Sequence, residues 1–446
     1  MELDMTKGKP SGLMIRFIIP LIIGNIFQQL YNMVDTIIVG QFVGVKALAA
    51  VGATGTVMFL ILGFMQGLTT GFTVLTSQRF GAGDTEGMKK SVAAAVLLAV
   101  VFTVVMTLGS LAGIDGLLRL MKTPEDIFDM SRSYIGVICM GMGCTVLYNL
   151  MASILRAVGN SKIPLYFLMV AAFINIVLDL IFIICFQMGV AGAAWATVIS
   201  QGVSGLLCVL YVLKKVEVLK LRRSHFGIDI HLFWMQLSIA LPMAFQFSIT
   251  AVGAIMVQAA LNMLGSMAVA AYTAASKVEQ LVTQPFLAMG MTMATYAGQN
   301  RGINACDRIS QGARCAFWFT AVYALVVYGL IMLFKHHLIA MFVSENLAEI
   351  ERYASIYLFL CGSCFIPLGM IFIYRNILQG CGFALIPTTG GIVELASRAV
   401  VAMIAARYES FPGVCMANMC AWISAGAFLW LSYLLIFRKI RRQGHF

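Results

Sequence analysis

An all-α, polytopic membrane protein is the expected fold, on three observations. Hydrophobic residues make up 61% of the 446 and charged residues only 11%, where a soluble chain carries roughly 25% charge. The apolar residues fall into twelve stretches, each near or above the roughly 20 residues that cross a bilayer as a helix. The basic residues collect between those stretches, mostly in alternate connections.

In the first half the expected helices cover residues 12–41, 48–78, 89–112, 131–158, 162–188 and 190–213. In the second half they cover 232–263, 267–299, 311–339, 351–379, 384–407 and 410–437. The polar segment Met1–Ser11 comes first. The apolar stretch after it is too long for a signal-peptide core and lacks a small-residue cleavage site, so it is expected to stay as the first span. That span carries a lone acid, Asp35, whose carboxylate costs several kcal/mol at such depth unless it meets a cavity, a partner or a cation. Pro20, Pro242, Pro285 and Pro367 lie within spans, where each favours a kink.

Alternating charge sets the expected orientation. Lys7, Lys9, Arg16, Arg79, Lys89, Lys90, Arg156, Lys162, the run Lys214–Arg223, Arg301, Arg308, Arg314 and the cluster Arg438–Arg442 share one side. The other side holds only Lys46, Arg119, Lys122, Arg132, Lys335, Arg352 and Arg407. The rich side is expected to be cytoplasmic, with both termini inside. The net charge of +11 then reflects topology and contact with anionic lipid head groups. No basic–aromatic interleaving suggests nucleic acid. The 11 cysteines are scattered, and the lone Cys361-Gly-Ser-Cys364 reads as small packing residues. His336–His337 reads as a solvated loop pair.

The chain also repeats itself. Pro20 matches Pro242, Val43–Ala50 matches Leu264–Ala271, and Gln78–Gly81 matches Gln299–Gly302. Ile154–Gly159 matches Ile377–Gly382, and Pro164 matches Pro387, at an offset near 222 throughout. Two parallel six-span halves are expected, 1–213 and 231–446, joined by a basic linker over 214–230. Parallel halves with substrate between them are a known transporter design.

These residues closely resemble the multidrug and toxic compound extrusion (MATE) family, within the larger flippase and exporter superfamily. The resemblance covers essentially the whole chain. It rests on Asp35-Thr-Ile-Ile-Val-Gly40, Gln78-Arg-Phe-Gly-Ala-Gly-Asp84, Leu155-Arg-Ala-Val-Gly-Asn160 and Gly189-Val-Ala-Gly-Ala-Ala-Trp-Ala-Thr197, with repeated forms in the second half. It implies a V-shaped bundle of two six-helix lobes around a central cavity. It implies export of organic, often cationic amphipathic compounds from a bacterial cell, driven by an inward sodium or proton gradient. It also implies a chain that functions as a monomer and needs no cofactor beyond the coupling ion.

Asn175 and Asp179 are four apart and share a helix face. The resemblance places Thr197 beside them and assigns Asp35, Asn175, Asp179 and Thr197 to a cation site, with Tyr134 as a weaker match. Two carboxylates, an amide and a hydroxyl could bind sodium. The carboxylates could instead hold a proton, because two neighbouring carboxylates cannot both ionise cheaply in a low dielectric. The competing reading makes these residues hydrogen-bonding glue between helices.

The NorM branch of the family has acids in its seventh and tenth spans, where this chain has Thr250 and Leu368. Glu394 and Arg398, four apart, read as a charge pair that is either structural or part of gating. Gln28, Gln29, Asn32, Gln246, Gln258, Asn262 and Gln284 are the candidates for a substrate cavity, since an amide facing lipid is costly. Interhelical hydrogen bonding is their alternative role. The 29 Met and 30 Phe suit a forgiving cavity wall. A flippase for a lipid-linked precursor is the rival function. An intramembrane enzyme lacks a nucleophile–base pair, a channel does not explain the repeat, and an ATP-driven pump lacks a Walker loop.

Overall fold

A computed structural model describes residues 3–121, 123–340 and 347–443, with backbone alone at Val45, Ser266 and Leu347. Lys122, one of the basic residues read as external, lies outside the described residues. The described chain is helical, and no strand occurs in it. The first half holds α1 (Pro10–Ile38), α2 (Val45–Phe72), α3 (Val74–Gly81), α4 (Thr85–Leu120), α5 (Glu125–Met140), α6 (Met142–Ala157), α7 (Lys162–Leu180) and α8 (Gly189–Lys215). The second half holds α9 (Ile230–Asn262), α10 (Ser266–Val282), α11 (Gln284–Gly302), α12 (Cys306–Ala340), α13 (Leu347–Ser363), α14 (Phe365–Gly380), α15 (Leu385–Arg407) and α16 (Phe411–Gln443).

Nine helical stretches among the described residues are long and apolar enough to cross a membrane unaided. Two more spans are bent pairs, α5 with α6 at 49° and α13 with α14 at 48°. The pair α10 and α11 occupies the eighth position and completes the twelve. It is more polar than the rest, with Lys277, Glu279, Gln280, Thr283 and Gln284 clustered at its break.

Four expected spans are therefore interrupted rather than continuous. The break between α5 and α6 falls at Gly141, where a Cβ would meet Val198 of α8 at 2.2 Å. The second and eighth spans both break at a threonine. Thr73 Oγ1 donates to Thr70 O at 2.8 Å, and Thr283 Oγ1 donates to Glu279 O at 2.9 Å. Such back-bonding competes with the helical ladder and bends it. Pro20 and Pro242 lie inside α1 and α9, as expected. Pro285 and Pro367 instead stand in the first turns of α11 and α14, where a missing N–H removes no helical bond. His336 and His337 are also corrected. They belong to the last turns of α12 rather than a loop, and His336 Nδ1 lies 2.8 Å from Glu351 Oε2.

The chain forms two compact units, one of Met1–Asp4 with Ile19–Phe247 and the other of Met5–Ile18 with Ser248–Phe446. In the first unit, Gly67 and Gly71 of α2 meet Ala244 and Ala240 of α9. A Cβ on either glycine would lie 2.6 or 2.4 Å from an alanine Cα. Small residues four apart on both helices let the backbones touch, the usual basis of close packing in membranes. Around this seam Met65, Leu68, Phe72, Met142 and Leu155 build an apolar core.

In the second unit, Met5 is fully buried ahead of α1. Its N–H donates to Gln299 Oε1 at 2.8 Å, and its carbonyl accepts from Asn300 Nδ2 at 3.1 Å and Arg308 at 3.2 Å. Deeper in this unit, Glu394 of α15 accepts from Arg398 at 2.8 Å and from Arg375 of α14 at 2.9 Å. The expected Glu394–Arg398 pair is thus part of a triad. Removing three charges from water is costly, and one carboxylate shared by two guanidiniums offsets part of that cost.

Candidate coupling site

The buried acids of the first unit lie on two different helices. Asp35 stands near the end of α1 and Asp179 near the end of α7, and both are buried. Each helix then widens into a π-turn, at Val39–Val43 and Ile181–Cys185. π-turns inside helices occur often at functional sites, because they displace side chains from the regular α-helical register. Ile38, Val39, Val137, Ile183, Val190 and Val198 form an apolar cluster around this end of the helices.

The carboxylates of Asp35 and Asp179 face each other closely enough to interact. Two ionised carboxylates side by side in a low dielectric repel, so the pair favours a shared proton or a bound cation. With its amide turned so that its nitrogen meets an acceptor and its oxygen a donor, Asn175, one turn before Asp179, donates to Asp179 Oδ2 at 3.0 Å and accepts from Thr197 N at 3.2 Å. In that orientation the amide oxygen also lies 3.5 Å from Thr197 Oγ1. Asp35 Oδ1 and Asp179 Oδ1 are buried without a protein hydrogen-bond partner among the described residues. An unpaired carboxylate oxygen at such depth is expensive, so both oxygens are available to a cation.

Tyr31 completes the arrangement. It lies one turn before Asp35 and is buried, with its hydroxyl beside Thr197 and Gln201 of α8. Tyr134 of α5 is buried within electrostatic reach of both acids and of Tyr31. The fold therefore brings Asp35, Tyr134, Asn175, Asp179 and Thr197 together. The sequence reading did not include Tyr31 and Gln201. Each lies four residues from a named member on the same helix face, a spacing that alone does not mark a residue as functional.

The donor set is two carboxylates, an amide and hydroxyls. Hard oxygen ligands of this kind suit sodium or a proton rather than a soft metal. Among the described residues no group of three or more His, Cys, Asp or Glu side chains could hold a metal ion.

The other expected residues are dispersed. Gln28, Asn32, Gln258 and Asn262 are exposed, Gln29 is half-buried, and Gln246 and Gln284 are buried. Gln258 Nε2 donates to Asn262 Oδ1 at 2.8 Å, and Gln284 Nε2 donates to Gln280 O at 2.8 Å. Both bonds lie within one helical span, not between distant helices. In the second unit, Tyr357 of α13 donates a hydrogen bond to Glu279 of α10, and Asn418 Nδ2 of α16 donates to Tyr272 OH at 3.0 Å.

Comparison with known proteins identifies the family. The MatE family model matches residues 20–181 and again residues 242–404, following the internal repeat. The probable multidrug resistance protein YoeA of Bacillus subtilis (strain 168) is 31% identical over 350 residues, covering 76% of this chain and 75% of the relative. A second protein of that organism, the probable multidrug resistance protein YpnP, is 29% identical over 386 residues, covering 85% and 84%. A crystal structure of MATE in complex with MaL6 has the same fold, with a TM-score of 0.92 at 24% identity over 98% of this chain and 99% of that one. With both halves matched by one family model and a relative above 30% identity across three quarters of its length, this chain belongs to the MatE family of transporters.

Proposed function

We propose that this chain is a secondary active antiporter that exports organic, mostly cationic amphipathic compounds across the cytoplasmic membrane. It works as a monomer, has both termini in the cytoplasm, and is driven by an inward sodium or proton gradient. The observation that carries this reading is the buried pair Asp35 and Asp179, held on two helices with one unpartnered oxygen on each. The names of YoeA and YpnP, both probable multidrug resistance proteins, support the substrate class.

Coupling follows from charge. With a cation or proton between them, Asp35 and Asp179 attract a shared partner and hold α1 and α7 in one arrangement. Without it, two carboxylates in a low dielectric repel, and that arrangement loses its stability. The ion therefore biases a two-state equilibrium by its differential affinity, the general requirement for a ligand-driven change. Gln28, Gln29 and Asn32 lie on α1 within about two turns of Asp35. A shift of α1 moves these amides together with the acid, and we assign them to substrate contact.

The test is ethidium efflux from proteoliposomes with sodium and proton gradients imposed separately. Asp35→Asn and Asp179→Asn should each reduce gradient-driven efflux severalfold, and the gradient that drives the wild type names the ion. Full efflux in both variants would remove the site from the mechanism. No efflux of any organic cation by the inserted wild type would favour transport of a lipid-linked precursor.

A further inference from the structure

The second unit has a cleft of about 520 Å³ bounded by α12, α14 and α16, distinct from the acids of the first unit. Arg314, Arg438 and Arg441 line one end of it, and all three are exposed. Arg438 and Arg441 are three apart, so they share a face of α16. Arg441 Nε pairs with Asp307 Oδ1 at 3.2 Å. Arg314 and Arg438 have no carboxylate partner among the described residues, which leaves two positive charges at the mouth.

Below the arginines the lining becomes aromatic and apolar, with Phe317 on one wall and Trp430 on another. Tyr433 forms a fixed floor. Its hydroxyl lies 3.3 Å from Ser310 Oγ, and its ring is 4.4 Å from that of Phe437. Trp430 is eight residues before Arg438, about 12 Å along the helix axis. It is 39% exposed and so open to a neighbour from the bilayer. A cleft charged at its mouth and apolar one glycerol backbone deeper has the polarity profile of a phospholipid.

We infer that this cleft is a binding site for an anionic phospholipid of the cytoplasmic leaflet, its phosphate on Arg314 and Arg438 and its acyl chain against Phe317 and Trp430. The choice of leaflet rests on the orientation proposed above. Charge complementarity selects the occupant, because basic pockets between spanning helices on the cytoplasmic side suit anionic head groups. A zwitterionic lipid brings its own cation to the two unpaired arginines and loses that advantage. A free phosphate leaves the aromatic wall uncovered.

The test uses the full chain in phosphatidylcholine vesicles containing increasing fractions of brominated phosphatidylglycerol. Bromine quenches a nearby indole, and subtracting the Trp430→Phe signal isolates Trp430 among the five tryptophans. Half-quenching is expected at a several-fold lower fraction of brominated phosphatidylglycerol than of brominated phosphatidylcholine. Arg314→Gln with Arg438→Gln should abolish that preference, and either substitution alone should weaken it. Quenching of the other tryptophans should not change, which checks the fold of the variant. Native mass spectrometry of the unsubstituted chain should retain phosphatidylglycerol over phosphatidylcholine. Equal quenching by the two lipids, an unchanged preference in the double variant, or displacement by soluble glycerol phosphate would each overturn the proposal.

Discussion

Asp179 on α7 faces Asp35 on α1, and each keeps one buried oxygen without a protein partner among the described residues. The two acids therefore act as one group. An asparagine at either position can donate to the remaining carboxylate, so it preserves the contact between helices but removes the exchangeable charge. The double variant Asp35→Asn with Asp179→Asn should be no worse in efflux than either single variant, the non-additivity expected of residues in one network. Initial rates in proteoliposomes check this. A double variant less active than both singles would assign the acids separate roles.

Tyr31 places its hydroxyl beside Thr197 and Gln201, next to that pair. Tyr31→Phe removes the hydroxyl and leaves the packing. Losing bonds worth about 1–2 kcal/mol should raise the ion concentration for half-maximal efflux by about five- to thirtyfold, with little change in maximal rate. The exposed Tyr166→Phe serves as the control. A fall in maximal rate alone would place Tyr31 outside ion binding.

The seam between α2 and α9 allows no side chain at two positions. Gly67→Ala and Gly71→Ala each force a methyl into the backbone of Ala244 or Ala240. Overpacking of this kind costs about 1–3 kcal/mol. Gly52→Ala on the same helix meets nothing within 4 Å and should be neutral. Thermal unfolding in detergent should lower the midpoint for the first two and leave the third in place.

Glu394 is the only carboxylate bonded to Arg375 and Arg398 among the described ion pairs. Glu394→Gln leaves two buried guanidiniums without their anion, and breaking a buried pair in this way costs about 3–5 kcal/mol. Substitution of Lys277, which is exposed, should cost far less. Denaturant midpoints of the two variants test the contrast, and similar midpoints would show that the triad is solvated.

Some of this site is legible in the sequence because charge in an apolar stretch has few innocent explanations. Asp35 stands alone in its span, and Asn175 with Asp179 marks one helix face. Tyr31 carries no such mark, because a tyrosine in a membrane helix is ordinary until its hydroxyl partner is known. Arg375 escapes for a different reason. It lies on the helix before Glu394, and spacing rules relate residues only within one helix. The bend at Gly141 depends on Val198, a residue of another span, so hydropathy predicts one helix where there are two. His336 and His337 mislead because polar residues end an apolar run without ending the helix.

α1 and α9 do not respect the boundary between the units. Residues 5–18 belong to the second unit, whereas the rest of α1 belongs to the first. The early part of α9, up to Phe247, belongs to the first, whereas the rest belongs to the second. A gene cut in the 214–230 linker would thus yield two products, each lacking part of its own unit and carrying part of the other. The sequence repeat and the compact units therefore divide the chain at different places, and the repeat's midpoint is not the seam of the fold.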